Sequence, residues 1–166
     1  MDATELSGVG VVTYAPTLDL EKARAFVSQV VDPEIPVLTI ADLGILRGVS
    51  IEDARVVVTI TPTYSGCPAM GQIEDDVRST LAAAGFDDVE VVMVHHPAWT
   101  SDWITEEGHE KLTRFGIAPP VPSGDVLCPR CKASAPRVVA RFGSTACKAL
   151  MVCSSCDEPF DYFKVF

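Results

Sequence analysis

Residues 55–85 read RVVVTITPTYSGCPAMGQIEDDVRSTLAAAG: a strand, a hydroxyl-rich loop and a helix, in that order. The unbroken Val56-Val57-Val58 predicts a central strand buried on both faces. Thr61 to Gly66 is a loop ending in Cys67, and Pro68 falls at a first helical position, where its missing N–H is harmless. Met70, Ile73, Val77, Leu81 and Ala84 then recur at helical spacing on one stripe. Glu74, Asp75, Asp76 and Arg78 face water, and Gly85 suits the stop.

The flanks extend this unit in both directions. Upstream, Leu43–Val49 reads as a strand joined to the first by a hairpin connection over Ile51-Glu52-Asp53-Ala54. Before it, Leu20, Ala23, Val27 and Val30 predict a helix with Thr17 as N-cap. That helix must end at Asp32-Pro33-Glu34-Ile35-Pro36, because each proline removes a donor and restricts its predecessor. Downstream, Val89–Val94 is a third strand, and Glu106–Phe115 a helix with Thr105 as N-cap and Gly116 as terminator. The predicted fold class is α/β, a small mixed three-to-four-stranded sheet with packed helices, plus a C-terminal zinc-ribbon module. The expected division is an α/β domain over 1–118, a stiff proline linker over 119–125 and the ribbon over 126–166.

The ribbon rests on Cys128-Pro129-Arg130-Cys131 and Cys153-Ser154-Ser155-Cys156, separated by 21 residues. Two residues between paired thiols let both sulfurs reach one ion about 2.3 Å away, and the intervening length suffices for a hairpin. Zinc is the default metal. A rubredoxin-like iron centre uses the same four thiolates, and buried or disulfide-bonded cysteines are the alternative without a metal.

Charge and composition exclude several classes. Residues 1–125 carry 20 acidic and 7 basic side chains and residues 126–166 carry 3 and 6, for a net charge of −10. A body this acidic repels a phosphate backbone, so nucleic acid is not an expected ligand, whereas protein partners are. No apolar run approaches the roughly 18 residues of a membrane span, and Met1-Asp2-Ala3-Thr4-Glu5 lacks a basic signal-like start. A cytoplasmic location is expected, with the six cysteines held reduced. No Ser/His/acid arrangement and no glycine-rich phosphate loop stands out, so independent catalysis is not expected.

Outside the cage, Cys67 is the leading candidate. As the N-cap of a helix its sulfur would sit at the positive end of the macrodipole, which lowers a thiol's pKa; small-residue packing in the core is the alternative. Thr61, Thr63, Ser65 and Tyr64 could bind an anion beside it. Asp32 and Glu34 are carboxylates that could bind or hand over a metal near that thiol, or simply cap their loop. Cys147 lies off the cage pattern, on the arm between the knuckles, where a turn with Gly143 and Ser144 would present it to a partner or the neighbouring domain and Lys148 would depress its pKa; simple packing is the alternative. His95 and His96 directly follow the third strand, and adjacent residues on a strand point to opposite faces, which argues against a shared metal unless the backbone turns there. Four aromatics in the last eight residues either build the ribbon's core or form an adhesive patch.

Asp32-Pro33-Glu34-Ile35-Pro36, Asp42-Leu43-Gly44-Ile45, and Thr61-Pro62-Thr63 with Gly66-Cys67-Pro68 resemble the small domain of SufT-like iron–sulfur assembly factors, over residues 16–118. Together with Trp99-Thr100-Ser101-Asp102-Trp103, Phe142–Leu150 and Glu158–Lys164, the chain resembles the PaaD family, also called PaaJ. The resemblance implies an accessory or maturation factor of the multicomponent phenylacetyl-CoA 1,2-epoxidase in aerobic phenylacetate degradation, with a structural subunit of the complex as the alternative. It implies oxygenase and reductase subunits and iron–sulfur assembly proteins as partners. Cys67 would be the residue handling a transient iron or iron–sulfur cluster, Asp32 and Glu34 its companions, and Zn2+ the structural metal of Cys128, Cys131, Cys153 and Cys156. One departure is that Lys132 and Asp157 follow each cysteine pair where ribbons often place glycine for its positive φ.

Overall fold

The computed structural model of the protein describes residues 19–122 and 124–166. Helix α1, Leu20–Val27, is capped by the Asp19 carboxylate, which accepts the Lys22 N–H at 3.0 Å. The expected cap Thr17 lies outside the described residues. Strands β1 (Leu46–Glu52) and β2 (Arg55–Ile60) form an antiparallel hairpin, and β3 (Val89–Met93) lies parallel to β2, giving the order β1-β2-β3. Helix α2, Ala69–Ala83, makes the crossover between the two parallel strands. Helix α3, Glu106–Phe115, has Thr105 capping the Gly108 N–H and stops at Gly116, whose φ of 87° no L side chain favours.

Three sequence expectations shift. The first strand begins at Leu46, not Leu43, because the chain turns at Gly44 with φ 67°, where a Cβ would lie 2.6 Å from the Trp103 Cβ and carbonyl oxygen. The hairpin turn shrinks to Asp53 and Ala54, both left-handed at φ 48° and 64°, so Ile51 and Glu52 join the strand. The central strand is also not buried on both faces. Val56, Val58 and Ile60 are fully buried while Val57 and Thr59 are half-covered, because α1 and α2 pack on one face only.

A second sheet follows. Strands β4 (Ile117–Ala118), β5 (Arg137–Ala140), β6 (Lys148–Val152) and β7 (Pro159–Phe163) lie in the order β4-β7-β6-β5. β4 leaves α3 directly and pairs with β7 in parallel, so the sheet begins ahead of the proline segment. The main buried cluster unites the α1/α2/β2 core with Trp99, Cys147 and Phe163, while a smaller one gathers Ala118, Cys128, Met151, Cys153 and Phe160 beneath the cysteine pairs.

The aromatic C-terminal stretch therefore does two jobs. Phe160 packs under the cysteines, and Phe163 enters the main core with its ring centroid 6.2 Å from that of Trp99. The Trp99 indole N–H donates to the Leu43 carbonyl at 2.8 Å, and Phe166 lies 6.1 Å from Trp99 and 6.3 Å from Tyr64, stacked on the latter. These contacts seat the ribbon against the loop that carries Cys67.

Candidate metal cage and thiol loop

The two cysteine pairs fold as matching knuckles. In the first, Lys132 N–H donates to the Cys128 carbonyl and Cys128 N–H to the Ala133 carbonyl, both at 2.9 Å. In the second, Asp157 N–H donates to the Cys153 carbonyl at 3.2 Å and Cys153 N–H to the Glu158 carbonyl at 2.9 Å. Lys132 and Asp157 occupy the positive-φ positions, at 63° and 56°, so the absence of glycine there does not prevent either turn. An ion pair of Arg130 with Glu158 ties the knuckles together.

The four sulfurs lie within 4.8 Å of one another. Four thiolates about 2.3 Å from one tetrahedral ion would stand about 3.8 Å apart; the observed separations are 3.9 Å for Cys128–Cys156 and 3.5 Å for Cys131–Cys153. Backbone N–H groups of Ser155 and Cys156 lower the Cys153 thiol to about 7. Cys156 accepts the Glu158 N–H, yet the neighbouring sulfurs push it up to about 12. Four crowded sulfurs resist ionising together unless a dication lies between them, so the donor set fits a metal ion.

The second group of candidates surrounds Cys67. Pro68, expected at the first helical position, is the N-cap of α2, so Cys67 lies one residue ahead of the cap rather than at it. The Ala69 N–H does bond its sulfur, but burial and then the Glu34 and Asp32 carboxylates outweigh that bond, and the thiol is raised, not lowered. The macrodipole argument thus fails through desolvation and like charge. Asp32 is buried on the other proline loop and accepts the N–H groups of Glu34 at 2.9 Å and Ile35 at 2.7 Å, a turn that fixes where Glu34 points. Burial raises both carboxyls, and Asp32 raises Glu34 further. The Tyr64 hydroxyl, beside Cys67, is pushed up to about 12 by burial and by Cys67 and Glu34.

The remaining candidates separate cleanly. Thr61 spends its hydroxyl on the Val94 carbonyl at 2.9 Å and is buried, so it offers nothing to an anion. His95 and His96 are exposed. Cys147 is buried and its thiol is raised by burial, with Thr145 and Lys148 too weak to reverse it. Lys148 is buried as well and pairs with Asp161 at 3.2 Å, so it does not activate its neighbour as its position in the sequence suggested. Sequence reasoning missed Trp99 as the bridge between the sheets; its place after Pro97 in a non-periodic stretch gave no packing signal.

The fold and the cysteine cluster define a class: a small α/β domain joined to a four-cysteine β-ribbon. The family described as iron–sulfur cluster assembly protein matches residues 20–93, and the PaaD zinc beta ribbon domain matches residues 120–164. The chain is 46% identical over 159 residues, 92% of its length and 96% of the relative's, to an Escherichia coli (strain K12) protein named as a subunit of 1,2-phenylacetyl-CoA epoxidase. It belongs to the PaaD family.

Two further relatives match about half of the chain. An Fe-S protein maturation auxiliary factor of Porphyromonas gingivalis is 39% identical over 85 residues, 50% of this chain and 80% of that one. A crystal structure of a DUF59 domain from Bacillus anthracis superposes with a TM-score of 0.52 at 30% identity, covering 56% of this chain and 90% of that one. Among the described residues no helix is long and apolar enough to cross a membrane.

Proposed function

We propose that this chain is an accessory factor of a phenylacetyl-CoA 1,2-epoxidase that receives iron or an iron–sulfur cluster at Cys67 and passes it to the oxygenase or reductase subunits. It would take its cargo from iron–sulfur assembly proteins and perform no turnover of its own. The observation that carries the reading is the chain's double relation, along nearly its whole length to an epoxidase subunit and over half of it to an Fe-S protein maturation factor, with Cys67 the half-buried thiol whose ionisation the Glu34 and Asp32 charges oppose. Carboxylates that make a thiolate costly also attract a dication. An arriving iron ion displaces the thiol proton and turns the same charges from repulsive to favourable.

Cys128, Cys131, Cys153 and Cys156 would hold Zn2+, which supplies structure rather than chemistry, and closed four-sulfur sites of this kind serve that purpose. The ribbon's role is then to dock on the body and seat the aromatic strap beside the cargo loop.

The test is epoxidase produced in cells carrying only a Cys67→Ser form of this chain. Its iron content is expected to fall severalfold while the accessory protein retains its fold and ribbon zinc; full iron loading would remove the reading. A structural-subunit role, favoured by the relative's name as a subunit, predicts instead a one-to-one place in the purified complex that Cys67→Ser leaves unaffected.

A further inference from the structure

The ribbon sheet has two faces, and one of them lies on the body. Along β7, Phe163 enters the main buried cluster, while Phe160 and Tyr162, offset by one residue, point the other way. The register sets Met151 opposite Phe160, Ala149 opposite Tyr162 and Val138 opposite Met151, so these side chains share the outer face. Beside the small core under the knuckles this face opens into a trough of 460 Å³, floored by Val138, Met151 and Tyr162 and rimmed by Arg141, Phe142 and Lys164.

The rim is held in place. Phe142 is 69% exposed, more than any other large apolar side chain among the described residues, yet the turn that carries it is tightly built. Gly143 N–H donates to the Lys148 carbonyl at 2.8 Å, and the Lys148 ammonium and Ser144 hydroxyl both reach the Asp161 carboxylate, at 3.2 and 3.3 Å. A Cβ on Gly143 would stand 2.9 Å from that same carboxylate, so the turn accepts nothing larger without shifting. The Lys164 ammonium lies 4.6 Å from the Phe142 ring centroid. A well-ordered exposed aromatic gives up little freedom on binding, which is the property of an interface anchor.

Charge decides what the trough receives. Of the ribbon's acids, Glu158 is paired with Arg130 and Asp161 with Lys148, while Asp157 stands in the second knuckle turn. Arg141 and Lys164 on the rim, and Arg137 next to Val138, form no ion pair among the described residues. Edge-to-edge pairing of two copies is disfavoured. β5 is the outer strand of its sheet, but Arg137 and Arg141 bracket it and its register with β6 skips Val139, both of which blunt an open edge.

We infer that this trough docks a short acidic segment of a partner protein, which sets an apolar side chain against Phe142 and Tyr162 and carboxylates against Arg141 and Lys164. Lys164 also stands 5.7 Å from the Phe166 ring centroid, and Phe166 stacks on Tyr64, three residues before Cys67. A docked partner therefore lies beside the thiol loop. The docking rests on the ribbon face alone; only its use in delivery rests on the cargo reading of Cys67.

The test titrates the full chain, with zinc in the ribbon, into a labelled nine-residue peptide that alternates Glu with Val and Phe, read by fluorescence anisotropy and by amide NMR shifts. Saturable binding is expected, with shifts at Val138, Phe142 and Lys164. Phe142→Ala should weaken it at least tenfold, as should Arg141→Glu combined with Lys164→Glu, or Ser in place of the peptide's Val and Phe. A peptide with Lys in place of Glu should not bind. No binding up to about 1 mM, equal binding of the Lys peptide, shifts confined to other surfaces, or wild-type affinity in Phe142→Ala overturns the site. A concentration-dependent dimer of the chain alone that Phe142→Ala abolishes assigns the trough to a second copy and overturns the partner. Should the charge-reversed variant fail to fold, about 0.5 M salt replaces it: a tenfold weakening of wild-type binding supports the site, and none refutes it. Epoxidase iron content with Cys67→Ser reports on the cargo reading and this titration on the trough, so each can fail alone.

Discussion

Phe163→Ala tests whether the ribbon supplies part of the body's core. Phe163 is 1% exposed, lies in the main buried cluster and packs its ring 6.2 Å from Trp99. Truncating a fully buried phenylalanine costs about 3–5 kcal/mol, of which the aromatic pair accounts for about 0.5–1.5 kcal/mol. With a urea m-value of about 2 kcal/mol/M for a chain of this size, the midpoint should fall by about 2 M. Two signals report it independently. The fluorescence of Trp99 and Trp103 reads the body, and capture of released metal by a chromophoric chelator reads the ribbon. Both transitions should move together, and Phe163→Leu, which keeps most of the apolar volume, should recover at least half the loss. A shift below about 0.5 M in the tryptophan signal would show that the ribbon merely rests on the body.

Cys128→Ser should release the ribbon metal and open the small core of Ala118, Met151 and Phe160, so amides of β5 and β6 lose hydrogen-exchange protection while those of β2 and α2 keep theirs. Retention of the metal at full stoichiometry would contradict this. The Cys67 thiol is raised above its ordinary 9.0 by burial and by Glu34 and Asp32, so at neutral pH it is protonated. Its alkylation rate, with no metal bound at the loop, should therefore climb about tenfold per pH unit from 7 to 9, and Glu34→Gln should speed it severalfold at pH 7.5. A rate plateau below pH 8, read peptide by peptide by mass spectrometry, would refute the direction of that shift.

Local patterns carried most of the architecture. The stripe Met70, Ile73, Val77, Leu81 and the Thr105 and Gly116 boundaries are properties of single elements, and they appear where periodicity and capping put them. So do the two knuckles, because their spacing is itself the geometry. What was illegible depends on distance in the chain. Whether a thiol at a helix start is activated turns on carboxylates more than thirty residues upstream, and their effect, with burial, exceeded the local dipole. Lys148 adjoins Cys147 in sequence but pairs with Asp161 across a strand. The tail aromatics announced burial without saying where; only the Trp99 contacts reveal that one ring serves the ribbon and another the body.

The most direct measurement is transfer. The full chain is loaded anaerobically with radioactive ferrous iron at the Cys67 site, its ribbon metal unlabelled, and mixed with iron-free epoxidase oxygenase and reductase subunits. Label should move to an epoxidase subunit and restore its activity with the wild-type chain, and should fail to move with Cys67→Ser. Label that stays on this chain, or that transfers equally well from Cys67→Ser, would contradict a delivery role for this thiol.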